Sequence, residues 1–71
     1  MVNTNELLAL IANSGKKKQY FADELGMHIA TFWRKVRNVS EFKPSEIDKL
    51  CNLLGVNSLK EKQRLFFYNA S

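Results

Sequence analysis

Residues 18–38 read KQYFADELGMHIATFWRKVRN, and this stretch decides the fold. Apolar side chains recur at helical spacing on both sides of Gly26. Phe21, Ala22 and Leu25 form a first run before the glycine. Met27 follows it directly and is expected to point inward, and Phe32 and Val36 form a second run. Gly26 separates the two runs because glycine enters tight-turn conformations that other residues adopt only at a cost. The pattern predicts a helix-turn-helix, with Phe32 and Val36 on the inner side of its second helix.

Further helices are predicted on either side of this element. Capping pairs indicate three helix starts: Asn3 with Glu6, Ser45 with Asp48, and Ser58 with Glu61. Glycines indicate the helix ends at Gly15 and Gly55. Apolar residues at helical spacing predict the buried stripes of the first and fourth helices: Leu7, Leu10 and Ile11, then Ile47, Leu50, Cys51 and Leu54. We therefore expect one all-α domain over residues 1–71, with four or five helices and short connections.

Two segments do not follow a regular helical pattern. In the loop at residues 38–43, we expect Val39 and Phe42 to fold back into the core. Near the C-terminus, the consecutive apolar residues of LFFY are too many for one helix face. We expect a short helix over about residues 59–64, followed by an extended tail that places at least one phenylalanine in the core.

Length and composition exclude several classes of function. A chain of 71 residues buries only about 60% of its unfolded surface, so a deep enzyme cleft is not expected. The sequence offers no catalytic triad, paired carboxylates or glycine-rich phosphate loop. The single cysteine, Cys51, lies on an apolar stripe and is expected to be a core thiol. We expect no enzyme, metal or cofactor. Without a membrane-spanning run or signal peptide, we expect a cytoplasmic protein.

Positive charge is concentrated in one part of the chain. Residues 16–43 contain seven basic and three acidic side chains, an excess that equals the whole net charge of +4. Such a concentration attracts a polyanion or an acidic protein surface. The candidate contacts to phosphates or to an acidic surface are Lys16, Lys17, Lys18, Gln19, Thr31, Lys35 and Lys43.

The outward side of the helix after Gly26 is the candidate working surface. It comprises His28, Ile29, Ala30, Trp33, Arg34 and Arg37. One interpretation is insertion into the major groove of DNA. Arg34 or Arg37 would then pair with guanine, while an apolar neighbour contacts a thymine methyl group.

The other interpretation of this surface is a protein interface. Ile29, Ala30 and Trp33 would form an apolar centre with the arginines at its rim. Tryptophan and arginine are the residue types most enriched at interface hot spots. A large apolar residue kept at the surface is also typical of a binding site. From the residues alone, both interpretations stay open.

The chain resembles the small phage repressor and Cro-like proteins of the lambda-repressor-like DNA-binding superfamily. FADELGM (21–27), TFWRKVRN (31–38), EFKPSEIDKLCNLLGV (41–56) and the terminal FF carry the resemblance. The family usually has an apolar residue where Lys35 stands. More narrowly, the chain is similar to the modulators of repression, or antirepressors, of temperate phages. The resemblance implies a four- to five-helix lambda-repressor-like fold and a regulator of the lysis–lysogeny switch in the host bacterial cell.

This resemblance implies two partners. In the first case, the helix-turn-helix face binds the phage repressor and alters its binding to the operator. In the alternative, the chain is a Cro-like transcriptional repressor that binds double-stranded operator DNA through the same face. Operator binding would require a homodimer that spans half-sites about 34 Å apart. The cluster at residues 66–68 is the candidate dimer interface, and no membrane partner is expected.

Overall fold

The computed structural model describes residues 1–67 as a set of five α-helices. In chain order these are α1 (Thr4–Asn13), α2 (Lys18–Glu24), α3 (Ile29–Val36), α4 (Pro44–Leu54) and α5 (Leu59–Phe66). The all-α class expected from the sequence is therefore confirmed. The longest of these helices has 11 residues, and none of the five is long and apolar enough to cross a bilayer.

Two of the three expected capping pairs are present. The Asn3 side chain accepts a hydrogen bond from the backbone N–H of Glu6 at the start of α1. The Ser58 hydroxyl likewise accepts one from the N–H of Glu61 at the start of α5. These short side chains satisfy N–H groups that the first turn of a helix leaves without a partner.

The expected pair of Ser45 and Asp48 is wrong, because the capping position of α4 lies two residues earlier, at residue 43. Pro44 is its first residue, where the fixed φ of proline fits a helix and the missing N–H costs nothing. Lys43 therefore takes the capping position. Its backbone N–H donates to Glu46 Oε1 at 2.8 Å.

The turn between α2 and α3 depends on Gly26. This residue has a φ of +69°, which is the left-handed region that glycine enters most easily. The N–H of Met27 donates to the carbonyl of Ala22 at 3.0 Å and closes the turn. Ala22 is fully buried, so α2 packs closely against the core just before the chain reverses into α3. Residues 18–38 thus form two short helices joined by a tight turn, as expected.

Aromatic rings connect the helices inside the core. Phe42 is buried and lies edge-on to Phe32 of α3 and to Phe66 of α5, with ring centroids 6.1 and 5.9 Å apart. The expectation for Phe42 is confirmed, whereas the one for Val39 is wrong, since that side chain is 72% exposed. Its N–H donates to the carbonyl of Arg34 at 2.8 Å, which holds the residue at the outer end of α3.

The fifth helix is longer than expected. It continues through Phe66, so an extended conformation beginning at Leu65 is wrong. Leu65 and Phe66 are buried side by side, while Phe67 is 61% exposed. A helix accommodates these consecutive apolar residues by turning the third one outward. The remainder of the expected tail, from residue 68, lies outside the described residues.

The N-terminus is fastened to the ends of α3 and α5. The side chain of Asn38, which has a φ of +65°, accepts from the N–H of Val2 at 2.7 Å and donates to its carbonyl at 2.9 Å. The N–H of Asn3 donates to the carbonyl of Leu65 at 2.7 Å. These bonds hold Val2 in the core, where it is 7% exposed.

We expect Asn38→Gly to lower the free energy of unfolding by about 1–3 kcal/mol, because it removes two hydrogen bonds to Val2 and preserves the left-handed backbone. Asn38→Ala should lose about 1–2 kcal/mol more, since alanine is strained at positive φ. Urea unfolding of the two variants measures both contributions. Wild-type stability in Asn38→Gly would show that the bonds to the N-terminus are unimportant.

Candidate functional site

The outward side of α3 is open to solvent. Phe32 and Val36 are fully buried, and this fixes the rotation of the helix. Ala30, Arg34 and Arg37 are exposed on the other side. The two large apolar residues of the predicted face, Ile29 and Trp33, are half-buried and pack against the core. The expected orientation of the face is therefore present, with its apolar residues more recessed than its arginines.

His28 belongs to the end of this face and also has a structural role. It is the residue before α3, and its Nδ1 accepts a hydrogen bond from the N–H of Ala30 at 3.1 Å. The ring is exposed while it makes this bond. His28 therefore caps the helix that carries the face.

Trp33 lies between two grooves. The α1/α3 groove runs between α1, the start of α2 and α3, and is lined by Leu8, Ile11, Ala12, Lys16, Lys17, Lys18, Gln19, Ile29 and Trp33. The arginine groove is on the other side and is lined by Ala30, Trp33, Arg34, Arg37 and Val39. Within residues 1–67, no acidic side chain lines either groove. Both grooves thus combine apolar surface with positive charge.

The lysines around the start of α2 adopt different positions. Lys18 Nζ lies 4.9 Å from the centroid of the Trp33 ring, and Lys16 Nζ lies 5.0 Å from that of Tyr20. Such cation–π contacts contribute about 0.5–1 kcal/mol each at exposed sites. Gln19 is exposed, and its side-chain amide donates to Asp23 at 2.7 Å. The contact of Lys18 joins the positive charge of α2 directly to the α3 face.

Lys35 does not belong to the candidate binding surface, contrary to the sequence analysis. It is 9% exposed, and its Nζ lies 2.7 Å from Glu46 Oε1 of α4. Its position three residues after Phe32 places it toward the core, where its charge requires a partner.

The environment of Glu46 favours the ionised form of its carboxyl group. Burial raises the pKa of Glu46, but the hydrogen bonds from Lys35 Nζ and from the N–H of Lys43, together with the charges of both lysines, lower it by more. The net effect is a pKa below the usual value. The Glu46 carboxylate therefore remains ionised at neutral pH, and its contact with Lys35 connects α3 to α4.

The remaining candidates lie outside both grooves. Thr31 is half-buried and Lys43 is exposed, and neither lines a groove.

Cys51 is buried as expected, and burial raises the pKa of its thiol. The described part of the chain contains no group of three His, Cys, Asp or Glu side chains that could hold a metal ion.

The grooves contain four residues to which the sequence analysis gave no binding role: Ile11, which was expected only in the core, and Leu8, Ala12 and Val39. Leu8 and Ala12 lie one turn apart on α1 and line the α1/α3 groove, and exposed Val39 lines the arginine groove. Helical spacing places Leu8 and Ala12 beside the buried stripe of Leu7 and Ile11. This spacing does not indicate that α3 leaves Leu8 and Ala12 uncovered.

We expect Glu46→Gln to lower stability at pH 7, because the neutral amide cannot form the ion pair with Lys35. Since folding lowers the pKa of Glu46, its stabilisation is present above the usual glutamate pKa of about 4.3 and is lost as the pH falls through the lower folded-state value. The stability difference between variant and wild type should therefore shrink in acid. Urea unfolding between pH 7 and pH 2 measures it, with Glu41→Gln as an exposed control. A difference that does not vary with pH would contradict this account.

No protein-family model, curated protein or solved structure matches the chain. The α3 face, with the two grooves that meet at Trp33, therefore indicates function together with the sequence resemblance.

Proposed function

We propose that the chain is a regulator of a phage genetic switch, a modulator of repression whose α3 face binds the phage repressor and alters its operator binding. The assignment of α2 and α3 to a lambda-repressor-like helix-turn-helix is part of this proposal. The observation that carries it is the position of Trp33, half-buried between two grooves with apolar walls and basic rims. The sequence resemblance supplies the identity of the partner.

The apolar part of the face favours a protein partner over DNA. Val39 is 72% exposed beside Ala30 and Trp33, and Ile29 lies on the opposite side of the indole. The major groove of DNA offers only thymine methyl groups as apolar contacts. A protein can cover the whole of this surface with larger side chains, and burial of apolar area contributes about 25 cal/mol per Å².

The basic residues that flank the two grooves restrict which protein surfaces can bind there. Arg34 and Arg37 flank one groove and three lysines flank the other. Like charges across an interface are unfavourable, whereas opposite charges accelerate association and fix the orientation of the partner. The surface of the repressor that contacts this face should therefore be acidic around an apolar projection.

Direct operator binding is the second candidate, favoured by the positions of Arg34 and Arg37. Both guanidinium groups are carried on the exposed side of α3, where a helix in the major groove presents its base-reading residues. Lys35 is removed from the set of phosphate contacts by its pairing with Glu46. If Lys16, Lys17, Lys18 and Lys43 each neutralised one phosphate, the salt dependence of binding would have a log–log slope of about −3 to −4.

Two calorimetric titrations of the purified protein separate these functions, one with the repressor of the same phage and one with its operator DNA. We expect Trp33→Ala to weaken repressor binding by about 100-fold, the magnitude typical of a central interface tryptophan. Leu59→Ala is the matched control, because Leu59 is 71% exposed and lines neither groove. Circular dichroism checks that both variants fold.

If the protein binds operator DNA directly, the two substitutions should rank differently in their effect on binding affinity. Arg34→Ala would then cost about 1–3 kcal/mol at operator sequences with the cognate guanine, and Trp33→Ala would matter less. Tight operator binding by the isolated protein, with no binding of repressor, would overturn the proposed function.

A further inference from the structure

The α1/α3 groove extends the candidate surface beyond the helix-turn-helix. One wall consists of Leu8 and Ala12, which are one turn apart on α1, and the other of Ile29 and Trp33, which are one turn apart on α3. Ile11 lies at the bottom and is 2% exposed. The five residues form an apolar depression that neither helix closes.

The polar residues of the groove are confined to the first two residues of α2 and the two residues before it. They are Gln19 and three lysines, Lys16, Lys17 and Lys18. The ammonium group of Lys18 reaches the Trp33 ring, so positive charge is held against the apolar wall. Among the lining residues in the described chain there is no carboxylate to neutralise it.

We propose that this groove receives an apolar side chain from an acidic segment of the partner protein. The apolar side chain would pack between Leu8, Ala12 and Trp33, while neighbouring aspartate or glutamate side chains pair with the lysines. This inference rests on the proposed function and names the chemistry that the repressor presents at the same site. It also assigns α1 a direct part in binding.

The chemistry of the groove distinguishes this occupant from DNA. Phosphates could pair with the lysines, but a thymine methyl group is much smaller than a depression with two apolar walls and an apolar floor. An aliphatic or aromatic side chain fills such a depression and removes its surface from water. Carboxylates on both sides of that side chain match the basic rim.

Two alanines of α1 provide a matched pair of variants. Ala12 lines the groove, whereas Ala9 is exposed on the same helix and does not line it. Ala12→Glu places a carboxylate among the lysines and fills the space of the incoming side chain. Ala9→Glu adds the same charge about 4.5 Å further along the helix axis, well within one Debye length of the first site. The pair therefore separates occupation of the groove from a general change in electrostatics.

We expect Ala12→Glu to weaken binding of the repressor of the same phage about tenfold or more, and Ala9→Glu to change it by less than about threefold. Both substitutions introduce a good helix former at an exposed position, and circular dichroism verifies the fold.

A spectroscopic readout reports on the groove itself. The chain has one tryptophan, so incorporation of 5-fluorotryptophan gives a single fluorine resonance from the groove wall. Adding repressor should shift this resonance in the wild type and in Ala9→Glu, and should fail to shift it in Ala12→Glu at the same concentration.

The outcomes separate this inference from the proposed function. If the wild type binds no repressor, both are overturned. If the repressor binds but Ala12→Glu binds as tightly as Ala9→Glu, the groove inference alone is overturned. If the repressor binds and the Trp33 resonance of the wild type does not move, both are overturned. A resonance shifted by operator DNA and not by repressor would also overturn both.

Discussion

The burial of Phe32 and Val36 is the constraint on which the rest of the structure depends. Both side chains are fully buried, and Phe32 meets Phe42, which in turn meets Phe66 of α5. An eight-residue helix held at two positions on one side has a fixed rotation about its axis. The surface that α3 presents to a partner is therefore determined by the core, before any property of the partner is considered.

The surroundings of α3 hold it in that position from both ends. Gly26 allows α2 to reverse directly into it, and Asn38 ties its last turn to the N-terminus. The pair of Lys35 and Glu46 joins its inner side to α4. These contacts lie away from Trp33, so the fold is stabilised on one side of the helix and the opposite side remains available for binding.

The sequence predicted the elements well where one local signal was sufficient. Helical spacing and capping residues indicated α1, the α2 to α3 turn and the stripe of α4. The failures occurred where a competing signal decided the outcome. Lys43 rather than Ser45 caps α4, whose first residue is Pro44, and a helix turned Phe67 outward where an extended tail had been expected. For Val39, a backbone hydrogen bond to Arg34 outweighed the apolar character of the side chain.

The candidate site was predictable in part. The rotation of α3 followed from its apolar positions, but the two grooves depend on how α1 and the 38–43 loop lie beside it, which no local pattern encodes. The position of Lys35 was also mispredicted from the sequence. Its charge suggested a surface contact, and only its position three residues after Phe32 indicated burial.

The most direct test of the central claim is a map of backbone and indole nitrogen chemical shifts as repressor is added to the labelled protein. The account predicts the largest changes at the Trp33 indole and at the amides of Ala30 and Arg34. Largest changes around Phe67, the exposed aromatic residue after α5, with the Trp33 indole unmoved, would contradict it.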